Sequence, residues 1–269
     1  MSTTAVDLHA IEVERRRVPV LGPIRDALAI AGRNLIAYRR VPQLLVFSTI
    51  QPVIFVLMFR YVFGGAIEIP NYVNYLMPGI FVQTVTFGAM AAAIGLATDL
   101  KSGLMERFRS LPMARSAVLA GRTCADLTRN VFVAVLMTVV GYLVGFRVQT
   151  SALGFIAGMT LLLLFGYALS WVFATVGLAV GDPESAQAAA FPVLAPLVFA
   201  SSAFVQVSSM PGWLQPFASH QPVSVTASAA RALMVGGDAA WYVIQSLAWD
   251  VAILAVFSSI AVRLYRRAI

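Results

Sequence analysis

The sequence predicts an all-α membrane protein with six transmembrane helices. Three observations predict it: an apolar composition, six long apolar stretches, and arginines confined almost wholly to alternate connecting loops. Of the 269 residues 59% are hydrophobic and only 12% charged, with a mean hydropathy of +0.83, whereas a soluble domain carries about 25% charged residues. A water-soluble fold of this length has too little interior to hide that surface.

The apolar stretches are 44–63, 75–97, 131–146, 153–180, 187–206 and 241–262. All but the third reach the roughly 20 residues needed to cross a hydrocarbon core of about 30 Å at about 1.5 Å per residue. The third gains its missing turn from 125–130. Helices are the expected form, because each span must satisfy its own backbone hydrogen bonds in lipid. A closed barrel needs period-two alternation, which the stretches lack.

Basic residues set the orientation. Seven precede the first span (Arg15, Arg16, Arg17, Arg25, Arg33, Arg39, Arg40), six lie between the second and third (Lys101, Arg107, Arg109, Arg115, Arg122, Arg129), and three follow the sixth (Arg263, Arg266, Arg267). The other side has only Arg147 and Arg231, and Arg60 falls inside the first span. The positive-inside rule then places both termini in the cytosol. The net charge of +7 is spread over segments that flank lipid headgroups, so it marks a membrane surface and not nucleic acid. The acidic 181–186 loop is compatible, since acids count for little in the rule. No cleaved signal peptide is expected, because the first apolar run begins near residue 44 and no small-residue cleavage site follows it. Cys124, the single cysteine, reads as a packing residue.

Residues 1–19 read as a flexible polar tail. In 20–41, Leu21, Ile24, Leu28, Ala31, Leu35 and Tyr38 recur at three and four while Arg25, Arg33 and Arg40 take another face. That describes an amphipathic helix lying at the membrane surface, ended by Pro42, which opens the membrane domain 42–269. Within the spans, Gly141/Gly145, Gly154/Gly158 and Gly177/Gly181 have the four-residue spacing of close helix packing. Pro52, Pro78, Pro192 and Pro196 predict bends. Arg60 is placed to snorkel outward. Asp250 falls near mid-bilayer, where it must face protein or water. It is either a structural polar contact or part of a substrate path, and Arg60 is the only base at similar depth.

Two segments stand out. In 98–122, the stretch Asp99-Leu100-Lys101-Ser102-Gly103-Leu104-Met105-Glu106-Arg107-Phe108-Arg109-Ser110-Leu111-Pro112 places Leu104, Met105, Phe108 and Leu111 along one side of a short helix that Pro112 stops. A helix that docks in a groove of a soluble partner explains four large apolar groups in a cytosolic loop. In 207–235, Pro211, Trp213, Leu214 and Phe217 precede His220-Gln221-Pro222-Val223-Ser224 and Arg231. This stretch is too apolar to float, and two short helices dipping into the outer leaflet fit it if the other spans shield their backbone.

At these residues the sequence resembles the permease subunits of type-two ABC exporters, within them the daunorubicin-resistance-like drug and lipid exporters. Asp99, Gly103, Glu106, Pro112 and Arg122 resemble that family's coupling segment, and 210–231 its extracellular re-entrant hairpin, with Gln221-Pro222-Val223-Ser224 where many relatives have Asn-Pro-Leu-Thr. The resemblance implies a half-transporter in the bacterial plasma membrane. Two permeases, alike or different, would form the pathway, and two cytosolic ABC ATPase subunits would bind the coupling segments and hold ATP and magnesium. Drugs or lipid-like amphiphiles would be exported. The chain is expected to carry no cofactor, metal or catalytic residue of its own: Lys101 follows Leu100 where a P-loop requires glycine. An intramembrane enzyme lacks its motifs, the only histidines being His9 and His220. An ion-coupled secondary transporter is the remaining alternative, for which Asp250 is a nearly solitary ionisable group.

Overall fold

In the computed structural model, residues 42–67, 69–103 and 115–267 are described. The amphipathic segment 20–41 and Leu104, Glu106, Arg107, Phe108, Leu111 and Pro112 lie outside them. Eight α-helices follow in order: α1 (Pro42–Leu57), α2 (Tyr72–Lys101), α3 (Arg115–Leu143), α4 (Ala152–Val180), α5 (Pro183–Phe199), α6 (Gln215–His220), α7 (Pro222–Val235) and α8 (Ala240–Arg267). A π-helical turn, Met58–Val62, continues α1, and a 3-10 turn, Val207–Ser209, precedes α6. No strand occurs among the described residues.

Among the described residues, four helices hold segments long and apolar enough to cross a membrane: Tyr72–Lys101, Gly121–Leu143, Ala152–Val180 and Ala240–Tyr265. α1 and α5 are shorter, at 16 and 17 residues. Local chemistry sets several ends. Ser151 caps α4 by accepting from the Gly154 N–H, and Gly181, at φ 75°, closes it in the left-handed conformation that glycine tolerates. Asp182 then caps α5, with Pro183 in the first turn.

α2 is the central stave. It packs most extensively along α4 and also meets α1, α3, α5 and α7. Leu76, Met77, Ile80, Phe81 and Val85 of α2 join Phe165 and Phe173 of α4 in one continuous core. Backbones approach closely where side chains are missing: a Cβ on Gly177 would stand 2.3 Å from the Ala93 carbonyl oxygen.

Several sequence expectations are corrected. The third helix begins at Arg115, not near 125, and Phe146 lies beyond its end, folded back so that its N–H donates to Gly141 (2.8 Å). Arg122 and Arg129, expected in a loop, lie within the apolar Gly121–Leu143 segment. The helix in 187–206 stops at Phe199 and the rest turns across α2. Of the three glycine pairs, only Gly154/Gly158 packs as a pair, against Leu233 and Met234 of α7. Gly145 and Gly181 instead take positive φ in turns, with open space where a Cβ would be.

Candidate functional site

The bundle is tied by polar contacts at both ends of α2. At the Tyr72 end, the chain leaving α5 is laid directly on α2: a Cβ on Gly79 would fall 1.8 Å from the Ala203 carbonyl oxygen. Tyr72 and Tyr75, on one face of the first turns of α2, reach across this strap. The Tyr72 hydroxyl donates to the Phe204 carbonyl (3.0 Å), and the Tyr75 hydroxyl meets the carbonyls of Ser202 and Val205 (3.0 Å each). The Phe204 ring stacks on Phe59, with centroids 4.5 Å apart and planes 4° apart, joining α1 to the same strap.

α7 closes this clasp through Gln221-Pro222-Val223-Ser224 and Arg231. Gln221 is buried; its Oε1 accepts the Val223 N–H (3.1 Å) and caps α7, while Nε2 donates to the Leu197 carbonyl (2.7 Å) and Ser224 Oγ (3.2 Å). The donation to Leu197 serves the last turn of α5, where carbonyls lack partners within their own helix. Pro222 takes the first helical position, where a missing N–H costs nothing. Ser224 Oγ accepts the Ser202 N–H (2.9 Å), and Ser202 Oγ donates to the Ser224 carbonyl (3.1 Å). The polar-Pro-apolar-hydroxyl pattern is therefore a helix start that also finishes the preceding helix. Arg231 adds donations to the carbonyls of Tyr75 (3.1 Å) and Ser202 (2.8 Å), with its guanidinium 3.7 Å from the Tyr75 ring centroid.

Residues 207–220, before α7, are mostly exposed. Trp213 and Phe217 are exposed, Pro211 is exposed, and Leu214 is partly covered at the start of α6. His220 is exposed, its Nδ1 near Ser219 Oγ and the Pro216 carbonyl, both 2.9 Å.

At the Lys101 end, Asp99 pairs with Arg122 of α3 (2.8 Å), and Lys101 pairs with Asp182 at the α4–α5 turn (2.7 Å). Arg122 lies over Gly95, where a Cβ would meet its guanidinium at 1.4 Å. Lys101 and the N–H and hydroxyl of Ser185 all donate to Asp182, holding its carboxyl down at about 2. Gly103, at φ 67°, ends α2 in the left-handed region. The two ion pairs join α2, α3 and α5 near the Lys101 end of α2.

Asp250 and Arg60 are not brought together. Asp250 is 1% exposed, and neither carboxyl oxygen finds a hydrogen-bond partner among the described residues. α8 packs on α4, α7 and α3 and does not touch α1, whose π-helical extension holds Arg60 exposed beside Tyr61.

Tyr72, Tyr75, Gly79 and Ser202 escaped the sequence reading. Tyrosines near a span end suggest an interfacial belt, and Pro78 signalled only a bend.

Fold and contacts together define a multi-pass helical membrane protein, clasped at one end and ion-paired at the other. The profile of the ABC-2 type transporter family matches residues 25–235, and the chain belongs to that family. It is 36% identical over 236 residues to the daunorubicin resistance ABC transporter permease protein DrrB1 of Streptomyces coeruleorubidus, covering 87% of this chain and 83% of that protein. It is 31% identical over 223 residues to the doxorubicin resistance ABC transporter permease protein DrrB of Mycobacterium tuberculosis, covering 75% and 76%. To the probable doxorubicin resistance ABC transporter permease protein DrrC of that organism it is 27% identical over 224 residues, covering 82% and 81%.

Proposed function

We propose that this chain is the membrane permease subunit of an ATP-driven exporter that moves amphipathic drugs or lipid-like molecules outward across a bacterial plasma membrane. The observation that carries the reading is the chain's family membership, with relatives named as daunorubicin and doxorubicin resistance permeases aligned over most of its length. In this reading α1 to α5 and α8 are six spans, both termini and the Lys101 end are cytosolic, and 207–235 is a re-entrant hairpin on the outside. The arginine distribution supports that orientation.

Work comes from two separate ABC ATPase subunits, which hold ATP and magnesium. A second permease, identical or different, completes the pathway. Closure of the ATPase pair displaces segment 104–114. Asp99–Arg122 and Lys101–Asp182 spread that displacement over α2, α3 and α5, and α2 delivers it to the clasp. The coupling requires contacts that differ between two states.

The test introduces Phe108→Asp with Leu111→Asp in the full chain co-expressed with its ATPase. Loss of ATPase co-purification and of ATP-driven daunorubicin export from membrane vesicles, at normal membrane insertion, is expected. Intact association and export sink the coupling assignment. Transport that outlasts ATP but collapses with the proton gradient assigns the chain to the ion-coupled alternative.

A further inference from the structure

Midway along α1, α2 and α3 lies a cavity of about 90 Å³, lined in part by Gln51, Gln83, Thr84, Arg129, Asn130 and Val133. It is more polar than packing between membrane helices requires. Gln83 is 1% exposed, Asn130 3% and Arg129 9%. Arg129 donates to the Gly88 carbonyl and to Asn130 Oδ1 (3.2 Å), and Gly88 makes room for them: a Cβ there would lie 2.3 Å from Asn130 Oδ1. Gln83 has no equivalent arrangement. Its Oε1 is buried without a hydrogen-bond partner among the described residues, as is Nδ2 of Asn130. A buried amide oxygen without a donor is costly, above all in a membrane segment, and signals an occupant that supplies one.

We propose that this cavity binds the oxygen-bearing polar edge of an amphipathic molecule, a hydroxyl beside an acceptor oxygen. The hydroxyl donates to Gln83 Oε1 and the neighbouring oxygen accepts from the Arg129 guanidinium, whose fork of N–H donors suits it. Pockets that enclose a drug-sized molecule span about 300–1,000 Å³. The cavity therefore seats one functional group and leaves the apolar body at its mouth, where Gln51 is exposed. This site rests on the exporter reading above and gives it a point of cargo recognition; a phospholipid head offers the same chemistry.

The test uses the full chain with its ATPase partner in nanodiscs of phosphatidylcholine and phosphatidylglycerol, as wild type, Gln83→Leu and Val133→Phe. Gln83→Leu forfeits no hydrogen bond, so its melting temperature should not fall, and Val133→Phe blocks the space by volume. Daunorubicin, whose rings carry phenol oxygens beside quinone carbonyls, is titrated by fluorescence anisotropy, with its Kd expected to rise at least tenfold in both variants. Wild-type affinity in both overturns the site, while ATP-driven export by the wild type keeps the exporter reading standing. Where the wild type exports without binding daunorubicin, native mass spectrometry decides. A phospholipid retained by wild type and lost from Gln83→Leu supports the site with lipid as the source; equal lipid occupancy overturns it and leaves only water inside.

Discussion

Replacing Gln221 tests the clasp most directly. In Gln221→Ala, α7 loses its N-cap, worth about 1 kcal/mol. The carbonyl of Leu197, at 2.7 Å, and that of Ala200, at 3.3 Å, lose the same donor. A buried acceptor left empty costs about 1–3 kcal/mol, so the substitution should destabilise the chain by about 2–4 kcal/mol. For a domain of this size that corresponds to a melting temperature lower by roughly 4–16 °C. Gln221→Asn separates the two parts, because asparagine caps a helix well but is one methylene too short to reach Leu197. It should retain the cap and lose only the tie to α5, giving a shift between wild type and alanine. Differential scanning fluorimetry of the three proteins in one detergent reads this directly. An alanine variant as stable as wild type, or an asparagine variant no better than alanine, refutes the double role assigned to this side chain.

Gly79→Ala places a methyl 1.8 Å from a backbone oxygen of the strap, so a loss at or beyond the upper end of the about 1–3 kcal/mol typical of overpacking should appear in the same melting assay. Asp99→Asn and Arg122→Gln, singly and together, should show a coupling of about 1 kcal/mol in a double-mutant cycle, since the pair is only 15% and 17% exposed; additivity would remove the tie between α2 and α3. The carboxyl of Asp182 is held at about 2, below its unfolded value near 4, so its contribution is complete above pH about 4 and fades as pH falls toward 2. Hydrogen exchange at the start of α5 should therefore not change between pH 5 and 8 once corrected for intrinsic rates, and a transition near pH 6 would contradict this. Asp250→Asn should leave export intact without lowering the melting temperature, because the carboxyl has no hydrogen bond to lose among the described residues; lost export at an unchanged melting temperature puts Asp250 on the cargo path instead.

Hydropathy located the cores of α2, α4 and α8 well, because lipid and protein interior both select apolar side chains. It misplaced the start of α3, where Arg122, Asp126 and Arg129 interrupt the apolar run. Those charges face inward: Asp126 is fully buried and Arg129 nearly so, so tertiary partners carry a helix through residues that a hydropathy window rejects. The end of α5 was misread for the opposite reason. Residues 200–205 are apolar or small, yet carbonyls among them accept from Tyr72, Tyr75 and Arg231, partners more than 25 positions away. Gln221 to Ser224 stood out as a pattern, but its meaning depended on the Leu197 and Ala200 carbonyls, which no local spacing reveals. Gly145 and Gly181 show the limit of a spacing rule, since the φ angle decided their role.

α2 runs unbroken for 30 residues, about 45 Å at 1.5 Å per residue, with Asp99 anchored near one tip and Tyr75 near the other. Pro78 removes one bond of its ladder, so any bend in the helix is expected there, beside the clasp. From Pro78 to Lys101 the helix is continuous, so a load applied at Asp99 is carried the length of that stretch before any joint can absorb it.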